Sequence, residues 1–374
     1  MNAKQRIAAV VALEAPDRVP VAPLLDHFAA TYTGITNAQL MNDSRARIAA
    51  VLRTMRELGP WDMTFAADTA NAAILKRGVP LRIRLPGEDL PENEIHQFEE
   101  SEFLQPEDYD LVIEKGYLPF TRDVLGRLYP EERRSALGRT VGMLAAFRRA
   151  RRARRLVERA GAELACSIFT PGPLIEYFSF GRSLETMAFD LYDRPEKVKA
   201  AGLRWAKTLG EFALRLVSAI GVPRVVIGLS RTSPAMMSPQ HFEEFVWPGF
   251  EILVNDLLDG GVTPVFHCDT DWAPLFTVFR RFPPKRCILE LDGHSDIFVA
   301  KEALGDHMCL MGDVPATLFA FGSKDEVLAY CRRLIEEVGK GGGFVLSSGC
   351  SIPANAKPEN VRALVEAAEE WGWY

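Results

Sequence analysis

Short apolar runs punctuate the chain at residues 19–23, 63–66, 164–169, 225–228, 264–267, 287–290, 309–311 and 344–347. Runs of this length read as buried strands where turn residues bound them. Between most of them the apolar positions recur at helical spacing, as in 239–258, 296–304, 324–338 and 358–371. Ser323 is placed to cap the third of these helices, and Pro358 opens the fourth at its first turn, where a missing N–H costs nothing. Strands that alternate with helices predict parallel pairing through helical crossovers, and eight such units predict an α/β fold of the (β/α)8 TIM barrel type. A doubly wound open sheet is the competing arrangement, but no Gly-x-Gly-x-x-Gly turn follows the first strand.

Residues 74–141 break the alternation. They hold Pro80, Pro86, Pro91, Pro106 and the acidic run Glu99-Glu100-Ser101-Glu102, and a β-like stretch at 81–85 gives way to turn signals. This segment reads as an insertion after the second strand, within a single domain spanning 1–374. A hairpin and helices there are expected to cover the barrel mouth, where such covers shape a substrate pocket.

Composition supports one large core: 374 residues, 48% hydrophobic and 25% charged. The net charge of −6 gives no reason to expect a nucleic-acid partner. Arg148, Arg149, Arg151, Arg152, Arg154 and Arg155 form a basic cluster read as a solvated helix face, with Phe147, Leu156 and Val157 supplying its apolar contacts. No run is long and apolar enough to span a bilayer, and the N-terminus leads into an amphipathic helix, so a cytoplasmic location is expected. Six cysteines at 166, 268, 287, 309, 331 and 350 do not resemble a secreted disulfide framework. The oligomeric state stays open, a homodimer included.

The candidate chemistry lies at strand ends. Phe266-His267-Cys268-Asp269 and Ser348-Gly349-Cys350-Ser351 each follow an apolar run, and in a barrel the C-terminal ends of strands share one mouth. Side chains alternate along extended backbone, so His267 and Asp269 face one way and Cys268 the other. The expected ligand set is His267, Asp269 and Cys350, with Glu290 as a candidate fourth. Zinc accepts this mixture of imidazole, carboxylate and thiolate, and a catalytic site leaves one position open. The plainer alternative takes each residue alone: a hydrogen-bonded barrel histidine, a capping aspartate and a small residue in a Gly-Cys turn.

The segments Ala12-Leu13-Glu14-Ala15-Pro16-Asp17-Arg18-Val19-Pro20-Val21, Ser238-Pro239-Gln240-His241-Phe242-Glu243-Glu244-Phe245-Val246-Trp247-Pro248, Met311-Gly312-Asp313-Val314-Pro315, and Gly349-Cys350 through Pro358-Glu359-Asn360-Val361 resemble the uroporphyrinogen decarboxylase superfamily. The resemblance covers nearly the whole chain, most weakly between residues 74 and 156, and implies a (β/α)8 barrel. True uroporphyrinogen decarboxylases carry a Met-Arg-Gln-Ala-Gly-Arg-Tyr-type segment whose arginines grip substrate carboxylates. The corresponding stretch here, Pro23-Leu24-Leu25-Asp26-His27-Phe28-Ala29-Ala30-Thr31-Tyr32, has no arginine.

The other branch of that superfamily comprises methyltransferases that exchange methyl groups with the cobalt of a corrinoid protein, using zinc held by His-x-Cys and a distant cysteine. His267 and Cys350 match the first and last of these, while Asp269 stands where the thiol methyltransferases have cysteine. A carboxylate makes the metal site harder, which favours an oxygen leaving group over a soft thiol. The resemblance therefore implies a zinc- and corrinoid-dependent enzyme that demethylates a small methoxylated or related compound. Glu290 and Asp292 are expected to orient a ligand or carry a proton, and His27, Tyr32 and His241 to face the pocket or cofactor. A methylcobamide:thiol methyltransferase, a metal-free lyase or decarboxylase using Arg82, Arg84 or Arg231 for a carboxylate, and a non-catalytic corrinoid-docking protein are the alternatives.

Overall fold

The structure is a computed structural model and describes residues 1–65, 71–132 and 135–374. Its strands are β1 Met63–Thr64, β2 Arg82–Arg84, β3 Gln97–Glu99, β4 Glu163–Leu164, β5 Ile168–Thr170, β6 Arg224–Leu229, β7 Thr263–Cys268, β8 Ile288–Leu291, β9 Cys309–Val314 and β10 Phe344–Ser348. Residue 66, the last of the expected second strand, lies outside the described residues. β5 to β10 form one six-stranded sheet in sequence order, every pair parallel, while β1 pairs with β4 in a parallel sheet of two. With helices between the strands, this is a mixed α/β, TIM-barrel-like fold.

The regular ladders stop short of the eight strands expected, for two local reasons. Around Val21 the chain makes a single parallel bridge to Leu346 rather than a ladder. Pro20 and Pro23 supply no N–H there, so only a few backbone bonds can form. Those that do form link both sides: Ala22 N–H donates to Leu346 O at 2.9 Å, and Asp62 N–H donates to Val21 O at 2.7 Å. The second reason is Arg224, whose buried guanidinium donates to Leu164 O and Ala165 O, both at 2.8 Å, and to Glu163 Oε2 at 2.8 Å. A side chain thus takes carbonyls a neighbouring strand would have used, and the expected strand at 164–169 is divided into β4 and β5.

Two apolar layers follow from the alternation of side chains along each strand. Val226, Val265, Ile288, Cys309, Met311 and Val345 pack in one cluster on one face. Val225, Ile227, Phe266, Leu289, Leu310 and Leu346 belong to the larger cluster on the other face, with Phe250, Leu253 and Leu257 of the helix Trp247–Asp259. Burial of each large side chain contributes about 1.5–3 kcal/mol. A register slip of one residue would exchange the faces of a whole strand, so the pairing is strongly specified.

Helices close to expectation fill the crossovers. Ser323 caps Lys324–Arg333 in a reciprocal capping box with Glu326, and Pro358 opens Pro358–Trp371. The helical stretch expected at 239–258 is present but includes a π-helical turn at Phe242–Val246. The basic cluster lies on Ala136–Arg159, where Val157 is fully buried and most of the arginines are exposed. Arg154 departs from a purely solvated role, donating from Nη1 to Ile220 O at 3.0 Å, the carbonyl that ends the helix Pro195–Ile220. Between β1 and β4, β2 and β3 form an antiparallel hairpin among the helices Ala72–Gly78, Glu107–Lys115 and Tyr117–Leu128. Among the described residues, no helix is long and apolar enough to cross a membrane.

Candidate metal centre

His267 lies two positions beyond Val265 on β7, and Glu290 two beyond Ile288 on β8, so both share the face of the smaller apolar cluster as its polar continuation. The register sets them directly opposite each other. His267 Nδ1 and Glu290 Oε2 are 2.9 Å apart, both side chains buried. A carboxylate can only accept, so Nδ1 carries the hydrogen, and Nε2 is turned toward Asp269. His267 Nε2 lies 3.5 Å from Asp269 Oδ1. Cys268 points to the opposite face and is buried in the larger cluster.

Cys350 arrives from the end of β10. Gly349 N–H donates to Val314 O at 2.9 Å, and a Cβ at Gly349 would lie 2.4 Å from Asp292 O, so only glycine permits this approach. Leu24 N–H donates to Ser348 Oγ at 3.0 Å, Ile352 N–H to Leu24 O at 2.7 Å, and Ser351 Oγ to Asp26. The cysteine is therefore clamped from both sides. One ligand atom each of His267, Asp269 and Cys350 lies within 4.8 Å of the others.

Thr270, which follows Asp269, is hydrogen-bonded at each of its polar atoms. Thr270 has φ +69°, left-handed backbone that a β-branched residue rarely adopts. Its N–H donates to Asp292 Oδ2 at 2.9 Å, its Oγ1 to Ser233 Oγ at 2.6 Å, and its carbonyl accepts from Ser295 Oγ at 2.9 Å. Such over-determination is what holds a strained residue in place. Asp292 also accepts from the His294 N–H at 2.8 Å and contacts His294 Nδ1 at 2.9 Å. Glu290 and Asp292, expected to orient a ligand or carry a proton, contact His267 and the turn after Asp269 respectively.

Charge accumulates here. Burial pushes the Asp269 carboxyl up; the His267 ring opposes this, and the Asp292 and Glu290 carboxylates add to it. Burial by itself would lower His267, but Glu290, Cys350 and Asp269 outweigh it and hold the ring well above its ordinary range. Glu290 Oε1 is buried with no hydrogen-bond partner. Asp269, Glu290 and Asp292 gather negative charge here that a dication would largely offset. Tetrahedral zinc with bonds near 2.0–2.3 Å places its ligands roughly 3.3–3.8 Å apart. The His267–Asp269 separation falls in that span, and imidazole, carboxylate and thiolate within 4.8 Å of one another are a donor set of the kind zinc accepts.

The contacts of the remaining expected residues are with groups other than the triad. His27 Nδ1 contacts Asn37 Oδ1 at 2.9 Å, and its Nε2 lies 3.2 Å from Nδ1 of His96, just before β3. Asn37 Nδ2 donates to Asn93 O at 2.9 Å, which orients the amide and makes His27 Nδ1 the donor; His96 then donates to His27. Burial, with His27 beside it, pushes His96 down to about 4. No local motif pointed to His96, because only the fold of the segment around β2 and β3 brings it to His27. Tyr32 donates to Glu57 Oε2 at 2.9 Å, and the His241 ring meets Tyr192 and Phe245 edge-on at 5.4 and 5.9 Å. Trp272 and Phe276 are buried in the larger cluster.

Residues 150–371 match the family described as uroporphyrinogen decarboxylase (URO-D). The uroporphyrinogen decarboxylase of Methylococcus capsulatus is 34% identical over 85 residues, 22% of this chain and 23% of that protein. That of Geobacter sulfurreducens is 25% identical over 131 residues, 35% of this chain and 37% of that one. The chain therefore spans well under half the length of these curated relatives. Among solved structures, a methyltransferase from Methanosarcina mazei superposes with a TM-score of 0.69 over 99% of both chains at 17% identity, a likeness of fold. With more than half of its length in that match, the chain belongs to the uroporphyrinogen decarboxylase family.

Proposed function

We propose that the protein is a methyltransferase that moves a methyl group from a small methoxylated or related donor to the cobalt of a corrinoid carried by a separate protein, with zinc held by His267, Asp269 and Cys350. The convergence of those three side chains from two distant segments carries the reading. Zinc bound there would supply Lewis acidity toward the donor's leaving oxygen. Glu290 orients the His267 ring and raises its basicity through Nδ1, as outer carboxylates do at histidine metal sites. Asp292 and Ser233, through Thr270, set the aim of Asp269. The hydrogen bond between His96 and His27 links the hairpin to the chain leading to Asp26, which accepts from Ser351 beside Cys350.

The proposal includes a closed eightfold barrel, with the Val21 segment as its first strand and residues 74–141 as a cover over its mouth. The backbone bonds that tie Val21 both to Asp62 and to β10 support the closure. The fold shared with the Methanosarcina mazei methyltransferase is compatible with the activity. The curated relatives favour a second reading, a metal-free decarboxylase. Against it, the 23–32 segment lacks the paired arginines that would grip a polycarboxylate.

Elemental analysis separates the two. Wild type purified without added chelator is expected to hold about one zinc per chain, and His267→Ala and Cys350→Ser to lose it. The zinc-loaded wild type should then methylate a Co(I) corrinoid from a methoxylated donor, followed by the cobalt absorption bands. A wild type that neither holds nor takes up zinc would remove the methyltransferase reading in favour of the decarboxylase.

A further inference from the structure

Arg231 lies at the C-terminal end of β6, the neighbour of the ligand strand β7. Its loop is strapped to the ligand segment on both sides. Asp269 N–H donates to Leu229 O at 3.0 Å, two residues before Arg231, and Thr270 Oγ1 donates to Ser233 Oγ, two residues after it. The loop is held from below by Glu176, whose buried carboxylate accepts from Ser230 N–H, Arg231 N–H and Thr232 N–H, each at 2.9 Å. The Glu176 carboxylate is thereby occupied by backbone amides and by the Thr232 hydroxyl.

The guanidinium is held without a counterion. It stacks over the Phe180 ring at 3.7 Å and donates once, from Nη1 to Ser179 O at 3.0 Å. Ring and carbonyl set its plane, leaving the other N–H groups of a five-donor fork unspent. Among the described residues no carboxylate comes within ion-pair distance; Glu100 and Glu176 act on it only through space. Burial pushes its pKa down, as expected for a cation removed from water with no partner. A half-buried arginine of this kind costs stability unless something anionic completes it.

We propose that Arg231 is a carboxylate anchor, so that the methyl donor is an anionic small molecule: a methoxylated carboxylic acid whose carboxylate docks on the guanidinium while its methoxy group reaches the centre of His267, Asp269 and Cys350. The donor class rests on the methyltransferase reading, but the anchor itself does not. A planar guanidinium with two adjacent free N–H groups matches a carboxylate in bidentate geometry. Lysine in its place would keep the charge and lose both the fork and the stack on Phe180.

The test is equilibrium binding by calorimetry to the zinc-supplemented protein, using methoxyacetate and 4-methoxybenzoate, each beside its uncharged amide. At least one acid is expected to bind about tenfold or more tightly than its amide. Arg231→Gln is expected to abolish that preference and Arg231→Lys to retain part of it, with zinc content unchanged in both. The lysine variant and a thermal melt of each protein guard against simple misfolding. An acid preference that survives in Arg231→Gln, or no preference in wild type, overturns the anchor. If the acid preference depends on Arg231 but zinc is absent, the anchor stands and the methyltransferase reading falls. Stoichiometric zinc with equal binding of acid and amide gives the reverse.

Discussion

Glu290→Gln isolates the electrostatic part of the proposed metal centre. Glutamine has nearly the same shape, and its carbonyl oxygen can still accept from His267 Nδ1 across the 2.9 Å contact, so the ring keeps its orientation. What changes is the charge, together with an NH2 group placed where Glu290 Oε1 now lies buried without a partner. A neutral acceptor polarises the imidazole less, and the centre loses one of its three carboxylates. Loss of such outer partners weakens metal affinity about 10–100-fold. That corresponds to about 1.4–2.7 kcal/mol. The assay is zinc competition against a chromophoric chelator at fixed pH and ionic strength, with urea unfolding of the metal-free proteins as the control for fold. A zinc Kd within a factor of two of wild type, in a variant that folds, would refute the view that Glu290 acts on the metal through His267.

Three further predictions rest on separate contacts. Burial, opposed mainly by the hydrogen bond from Tyr330, raises the Asp313 carboxyl from its ordinary 3.8 to about 6. The native state therefore binds more protons between those values: Asp313 is least costly below about pH 4, and stability is lost as pH rises through about 6, by about 3 kcal/mol at neutral pH. Asp313→Asn should flatten this dependence and gain on wild type as pH rises, and a stability difference that does not grow between pH 4 and 8 in urea titrations would oppose it. Arg224→Met leaves the Leu164 and Ala165 carbonyls and Glu163 without their donor, and should cost about 3–5 kcal/mol; an unchanged urea midpoint would contradict that role. Thr270→Gly relieves left-handed backbone at φ +69° but removes the bond to Ser233, so stability should stay within about 1 kcal/mol while zinc affinity falls several-fold. Equal zinc affinity would show that the aim of Asp269 does not depend on that bond.

What the sequence determined by itself is what repeats locally. Apolar runs at 225–228, 264–267, 287–290, 309–311 and 344–347 coincide with β6 to β10, because a parallel strand buried on both faces reads as a continuous apolar run while its side chains alternate. The same alternation was enough to place His267 and Asp269 on one face and Cys268 on the other. Caps such as Ser323 with Glu326 were legible for the same reason, since both partners lie within four residues.

What only the tertiary structure decided involves groups distant in the chain. Whether Glu290 would be a ligand or a partner of His267 depends on the register of β7 against β8, which no pattern within either strand encodes. The division of the expected third strand follows from the Arg224 side chain, supplied by a strand some sixty residues later. His96 meets His27 only because the hairpin of β2 and β3 folds back, and the partners of Tyr32 and His241, Glu57 and Tyr192, are supplied by other helices. Arg231 was visible as an arginine after a strand, but its lack of a counterion is a property of the space around it. Local sequence specifies the direction of a side chain on its own element; the neighbours that complete or orphan its polar atoms come from other elements, and their identity is set only when the chain has folded.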